Sequence, residues 1–392
     1  MEGRSERKRA QSLVMRLMAI PGASRQEGRV ARWIVRRLLR AGLPESRIVF
    51  DGAEKRTPQP GEVGNLIVKL PGTRRAPRRL FSAHMDTVPI CVGCQPQVDG
   101  RIVTSARPDT GLGADNRAGC AVILHTLLEI LRRDRPRPPL TFCWFVQEEI
   151  GLQGARCVRR TALGKPKLGF NWDGGSPAKL TIGATGGYRM KVTIDGIAAH
   201  AGGAPERGAS AIEMASLAVA RLRKQGWLGR VRKREGTGTS NVGVISGGRA
   251  TNVVADRVEL LAEARSHDPE FRRRIVRAYH EAFEWAVEQV ANEAGQSGRV
   301  TIDGRLDYEA FRLERQQPCV QMASRAVEAH GLTPQPAIAD GGLDANWLNA
   351  HGIPTVSLGC GQINQHMTTE ALDLDGFDNA CRIAQSLATS FD

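Results

Sequence analysis

Short apolar runs alternate with stretches of helical periodicity along most of this chain, and one long segment interrupts the rhythm. Residues 10 to 42 carry helical spacing, with Leu13 and Leu17, then Val30, Ile34 and Leu38, and "IPGASRQEG" breaks the stretch into two helices. The runs "NLIVKL", "RRLFSAHMD", "LTFCWFVQEE" and "KLGFNWDGG" read as strands, and "RAGCAVILHTLLEILRR" between them reads as a helix. Strands interleaved with helices imply an α/β sheet, mixed or largely parallel. From residue 186 the texture changes. "GGYRMKVTIDG" predicts a strand, "PERGASAIEMASLAVARLRKQG" a helix, "TSNVGVISGG" and "DRVELLAEARS" two strands, "DPEFRRRIVRAYHEAFEWAVEQVANEAG" a helix, and "RVTIDGRLDYEAF" a last strand. That β-α-β-β-α-β order is a self-contained ferredoxin-like layer. The α/β texture then returns with "PCVQMASRAVEAHG", "IPTVSLG" and "GFDNACRIAQSLATSF". The segment is therefore read as an insertion: residues 1–185 and 312–392 form one domain and 186–311 a second, as a length of 392 residues favours.

An apolar content of 41% with 24% charged residues is that of a globular protein. The first thirty residues are too charged for a signal peptide and no apolar segment is long enough to span a bilayer, so a cytoplasmic location is expected and a membrane partner is not. Eight scattered cysteines, several inside apolar runs, suit buried free thiols; only Cys91 and Cys94 form a C-x-x-C, a weak zinc or redox signal without a second pair. The net charge of +14 invites a nucleic-acid reading, but runs such as "RRAPRR", "RRDRPRP" and "RLRKQGWLGRVRKRE" are dispersed and carry no aromatic interleaving. They read as solvated faces, or as a means of attracting carboxylate-bearing substrates.

In "FSAHMDTVPI" alternate side chains of a strand share a face, so His84 and Asp86 point the same way and the carboxylate can hold the imidazole, as it does for metal-binding histidines. Alone, the pair could be an ordinary polar strand end. Four further places put an acid or imidazole at the end of an apolar run or ahead of a helix: Asp115 in "GLGADNRAG", Glu148 and Glu149, Asp173, and His366 in "GCGQINQHMTTE". Singly, these are a helix cap, a solvated strand end, a turn former and a loop residue. In an open α/β sheet, however, such ends converge on one crevice, where so many carboxylates would repel one another without a cation. Two histidines with three carboxylates is a ligand set for two divalent ions sharing one carboxylate. A phosphate-binding reading of "TGLGAD" lacks the third glycine, and Asp115 would oppose an anion.

The motifs "HMD", "GADNRAG", "EEIG", "DGG", "AHAGGAPERGASAIEMA" and "NQHMTTE", in this order and spanning almost the whole chain, resemble the co-catalytic zinc peptidases and deacylases, a family that includes peptidase T, aminoacylase and acetylornithine deacetylase. "GGLDANWLNAHGIPTVSLGCGQINQH" looks most like the peptidase T branch. The resemblance implies an α/β catalytic domain, its mixed sheet flanked by helices, with an inserted ferredoxin-like lid that also serves dimerisation. It implies two zinc ions, with cobalt or manganese as substitutes: His84 and Asp173 on one, Glu149 and His366 on the other, Asp115 bridging, Asp86 orienting His84, and Glu148 as general base. It also implies substrate contacts from the lid by His200, Asn252 and Arg265, with His200 reaching a partner subunit's site. Ser210 stands where many relatives carry Asn or Asp. The expected activity is hydrolysis of short peptides by a homodimeric aminopeptidase. The alternatives are an N-acyl amino-acid deacylase or a carboxypeptidase of the same fold, and, from another class, a non-catalytic basic binding protein.

Overall fold

The computed structural model describes residues 2–391. Its contacts separate two compact units, one of residues up to 184 together with those from 311, the other Thr185–Ala310. The first unit opens with helices α1 (Glu2–Met18) and α2 (Gly28–Arg40), strands β1 (Ile48–Phe50), β2 (Leu66–Leu70) and β3 (Arg79–His84), and a hairpin of β4 (Pro96–Asp99) and β5 (Ile102–Ser105). Then come α3 (Ala114–Arg133), β6 (Leu140–Phe145), α4 (Gln153–Arg156), β7 (Leu168–Trp172) and β8 (Lys179–Ala184). The second unit consists of β9 (Gly186–Asp195), α5 (Ala211–Lys224), β10 (Gly229–Lys233), β11 (Gly236–Gly247), β12 (Arg257–Ser266), α6 (Pro269–Glu288) and β13 (Arg299–Tyr308). The first unit resumes with β14 (Phe311–Arg312), α7 (Pro318–Glu328), β15 (Gln335–Ala339), α8 (Asp344–Ala350), β16 (Thr355–Leu358), β17 (Gln362–Ile363), β18 (Ala371–Asp373) and α9 (Leu374–Thr389).

The main sheet of the first unit runs β1-β2-β6-β3-β7-β16-β8-β14, with β15 also on β8. Its four central strands, β6, β3, β7 and β16, are mutually parallel, and the outer pairings are mostly antiparallel. Period-two alternation divides the sheet's side chains between two cores. Leu66, Val68, Phe81, Phe142 and Phe170 pack with α1, α3, α7 and α9 on one face, while Ile67, Leu80, Cys143 and Phe145 meet Ala155, Leu163 and Leu348 on the other. Both faces are covered, so β3, β6 and β7 are buried at every residue and read as runs that are apolar apart from Arg79, Ser82, His84, Thr141 and Asn171. Because the central strands are parallel, His84, Phe145, Trp172 and Leu358 all end on one edge of the sheet. That edge carries the site.

In the second unit a five-stranded antiparallel sheet, ordered β10-β11-β12-β9-β13, packs α5 and α6 on one face. The order β11-β12-β9-β13 is that of a ferredoxin-like layer, as the sequence predicts. β10 is an addition to it. "GRVRK" has only Val231 buried and is otherwise charged, the composition of a protected edge strand, and so reads in sequence as a solvated run. Ser210 caps α5, accepting the Glu213 amide hydrogen at 3.3 Å, and Asp268 caps α6 in the same way. A separate four-stranded sheet, β17-β18-β5-β4, is also not foreseen, its strands being two to four residues long and partly polar. Among the described residues no helix is long and apolar enough to cross a membrane.

Candidate metal centre

Every residue of the predicted ligand set belongs to the first unit, and the structure brings all five together. His84 is the last residue of β3, Glu148 and Glu149 follow β6, Asp173 follows β7, Asp115 lies at the start of α3, and His366 lies between β17 and β18. His84 Nε2 is 3.2 Å from Asp115 Oδ1 and 4.0 Å from Asp173 Oδ2. His366 Nε2 is 2.9 Å from Glu149 Oε2 and 3.4 Å from the other Asp115 oxygen, Oδ2. Two ligand triads result, His84–Asp115–Asp173 and Asp115–Glu149–His366, each with its donor atoms within 4.8 Å of one another, and Asp115 is in both. A third grouping, His84–Glu148–Glu149, also meets this distance. Glu148 Oε2 is 3.9 Å from His84 Nε2, so its carboxylate faces the same space.

The electrostatics test whether metal suits these residues. Burial pushes the Glu148 carboxyl well above its usual range against the pull of His84, and Glu149, Asp344 and Asp173 push it further. Asp173 rises in the same way through burial and the charge of Asp115. Burial also raises Glu149, to about 7, although His366 opposes it. Burial acts upward on Asp115 too, but the imidazoles of His366 and His84 beside it outweigh that and hold the carboxyl below its usual range. His366 is pushed up to about 10 by its bonds to Asp115 and Glu149. Protons thus offset a crowd of carboxylates that divalent cations would offset better. Asp115 Oδ1, although buried, has no hydrogen-bond partner in the structure. The donor set, two imidazoles with carboxylates, fits borderline divalent ions such as zinc.

Asp86 is buried and does more than hold one imidazole. His84 Nδ1 is 3.1 Å from the Asp86 carbonyl oxygen and 3.4 Å from its Oδ1. The same carboxylate accepts the backbone amide hydrogens of Glu148 at 3.0 Å and Glu149 at 3.1 Å, and the Ser24 hydroxyl at 2.6 Å. One side chain therefore sets the positions of a ligand on β3 and of both acids after β6. Gln147 (φ 55°) and His366 (φ 64°) adopt left-handed backbone, which costs a non-glycine residue about 1–3 kcal/mol and concentrates at working sites.

Several residues at this edge were given no role by sequence reasoning. Glu370 is buried; Oε2 accepts the Gly113 amide hydrogen at 2.7 Å and the Cys91 thiol at 3.3 Å, and Oε1 accepts the Asp115 amide hydrogen at 2.9 Å. It ties the loop carrying Asp115 to the loop carrying His366. Gln362 accepts the Gly174 amide hydrogen and donates to Ala114 O and Asn116 Oδ1, joining the turn after Asp173 to α3. Asp344 is buried with no hydrogen-bond partner for either oxygen, and burial raises its carboxyl to about 7. Glu370 and Asp344 both stand in stretches that carry the family resemblance, which was the available signal. Cys91 serves Glu370, and the Cys94 thiol donates to Met18 O and Leu112 O at 3.1 Å each.

The three lid residues lie in the second unit. His200 is exposed, and its Nδ1 accepts amide hydrogens from Gly202 at 3.2 Å and Gly203 at 2.9 Å, so the neutral ring carries its hydrogen on Nε2. Asn252, also exposed, accepts the Ala201 amide hydrogen on its backbone carbonyl oxygen at 2.9 Å. Arg265, on β12, is engaged with Glu263 through two hydrogen bonds of 2.9 Å.

Comparison with known proteins gives concordant matches. The peptidase dimerisation domain of family M20 matches residues 182–291, and peptidase family M28 matches residues 65–206. The chain is 33% identical over 313 residues to the uncharacterized protein YqjE of Bacillus subtilis strain 168, covering 80% of each chain. Among solved structures it is similar to a tripeptidase from Staphylococcus aureus Mu50, with TM-score 0.87 and 29% identity, and to the aminopeptidase PepT from Bacillus cereus ATCC 10987, with TM-score 0.84 and 30% identity. Each covers 98% of both chains.

Proposed function

Since the chain belongs to the M20 peptidase family, beside peptidase T, we propose that it is a dinuclear metal aminopeptidase acting on short peptides, with zinc as the metal. The observation that carries this reading is the pair of ligand triads meeting at the two oxygens of Asp115. His84 and Asp173 would hold one ion, Glu149 and His366 the other. When bound, such a pair supplies Lewis acidity toward the scissile carbonyl and acidifies the attacking water. Glu148, whose Oε2 lies 3.9 Å from His84 Nε2 and faces the same space, would act as general base, taking a proton from the attacking water and passing it to the leaving amine. Asp86 keeps His84 presented through one nitrogen and fixes the backbone from which Glu148 and Glu149 project. The Nε2–H of His200 is a suitable donor to the oxyanion that forms as water adds, and the match to a dimerisation domain supports its acting across a homodimer. A monomer in sedimentation would remove that placement. Asn252 and Arg265 are assigned to substrate contact on the family resemblance, and a cytoplasmic location on the absence of a predicted membrane segment.

The test is a hydrolysis panel on zinc-loaded protein: tripeptides with each terminus free or blocked, beside N-acetyl and N-succinyl amino acids. Fastest turnover of a tripeptide with a free amino terminus is expected. Faster cleavage of an N-acyl amino acid would transfer the assignment to a deacylase, and a requirement for a free carboxyl terminus alone to a carboxypeptidase.

A further inference from the structure

Away from the metal centre, α2 carries five arginines in thirteen residues, "GRVARWIVRRLLR". Its inner stripe, Val30, Ala31, Ile34 and Leu38, is buried in the core, which turns Arg29, Arg32, Arg36, Arg37 and Arg40 to solvent. By contrast, Arg7 and Arg9 of α1 are paired, with Asp378 at 3.1 Å and Glu129 at 2.9 Å. Among the described residues, none of the five on α2, nor Arg16 of α1 beside them, has an ion-pair partner. Like charges spaced three and four apart on a helix repel, and this repulsion is relieved when an anion binds.

Trp33 sits in the middle of this face, partly buried, with the Arg37 guanidinium 5.9 Å from its ring centre. The indole is a wall of two hollows. One, of about 400 Å³, is lined by Ile20, Arg29, Arg32, Trp33 and Arg36; the other, of about 220 Å³, includes Leu13, Arg16, Trp33, Arg37 and Arg40. Both hollows combine the same indole with an apolar residue and a guanidinium rim. From Arg29 to Arg40 the row runs about 17 Å at 1.5 Å per residue.

We propose that this face binds single-stranded nucleic acid, bases entering the hollows against Trp33 and phosphates following the arginine row. Bare phosphate would need no indole. A bilayer would call for apolar groups standing out beyond the arginines, and of the apolar residues of α2 only Leu39 is exposed while Trp33 is partly buried. Aromatic platforms set in a basic groove are how single strands are held without sequence preference. The basic runs conspicuous in the sequence do not include this one, in which Trp33 stands among the arginines and one hollow is completed by Leu13 and Arg16 of α1.

The test uses the metal-loaded full chain and a fluorescent oligothymidine of about 16 nucleotides, read by anisotropy between about 50 and 200 mM salt. Saturable binding is expected, with a log–log salt slope no steeper than about −4 if all six arginines contribute. Arg32→Ala with Arg36→Ala, which leaves the core untouched, should flatten the slope by about 1.4. Trp33→Ala should weaken binding about ten-fold or more. Both variants should hydrolyse peptide at the parent rate, which also shows that they fold. Equal affinity for a duplex of the same length, insensitivity to both variants, a free mononucleotide binding as tightly as the strand, or tighter binding to anionic phospholipid vesicles would each overturn the proposal.

Discussion

Glu148 and Glu149 are neighbours in sequence to which the proposed function gives different tasks, and a single carboxylate, Asp86, accepts both of their backbone amide hydrogens. Glu148→Gln is nearly isosteric but cannot accept a proton. It should retain metal and substrate binding and lose on the order of 10² to 10⁴ in kcat; a near-parental kcat would remove Glu148 from the role of base. The titrating groups predict a pH effect of definite sign. His366 in the metal-free fold is raised from 6.5 to about 10, so the stability it contributes is complete below pH 6.5 and lost as pH rises toward 10. Glu149 and Asp344, raised to about 7 from 4.5 and 3.8, also destabilise the metal-free fold increasingly as pH climbs from those ordinary values through 7. Bound metal would replace these protons, so the gap in Tm between loaded and metal-free protein should widen from pH 5.5 to 9. Melts showing a constant or shrinking gap would contradict this. The pairing of His84 with Asp86 was legible because period-two alternation puts them on one face. The further reach of Asp86, to Ser24 and to amides sixty residues away, has no local signature.

At the scale of elements, the parallel run β6-β3-β7-β16 delivers the site by ending its strands on one edge, and these strands were readable because sheets covered on both faces give continuous apolar runs. β10 and the four-stranded β17-β18-β5-β4 sheet were not, since edge strands and two-residue strands have no apolar run to announce them. Connecting loops carry Asp115 and His366, and Glu370 joins those loops through contacts 257 and 255 residues apart in sequence, which no spacing rule reveals. Glu370→Gln exchanges one of two acceptor oxygens for a donor that would face an amide hydrogen. It should weaken metal affinity about 10- to 100-fold while leaving the fold intact. Competition with a calibrated chelator checks this, and unchanged affinity would reduce Glu370 to a packing role.

For the whole molecule, one unit holds every candidate ligand, and the other is a ferredoxin-like layer inserted between two parts of it. The inserted layer was legible from its change of texture at residue 186, and the candidate ligands from the recurrence of acids and imidazoles after apolar runs or ahead of a helix. The account rests on two metal ions sharing Asp115. The most direct measurement is a zinc titration of metal-free protein by calorimetry, with Asp115→Ala in parallel. Two ions per parent chain are predicted, and the variant should lose affinity at both sites because each triad contains Asp115. Saturation of folded parent protein at one ion or none, or a variant that loses one site and keeps the other at full affinity, would contradict it.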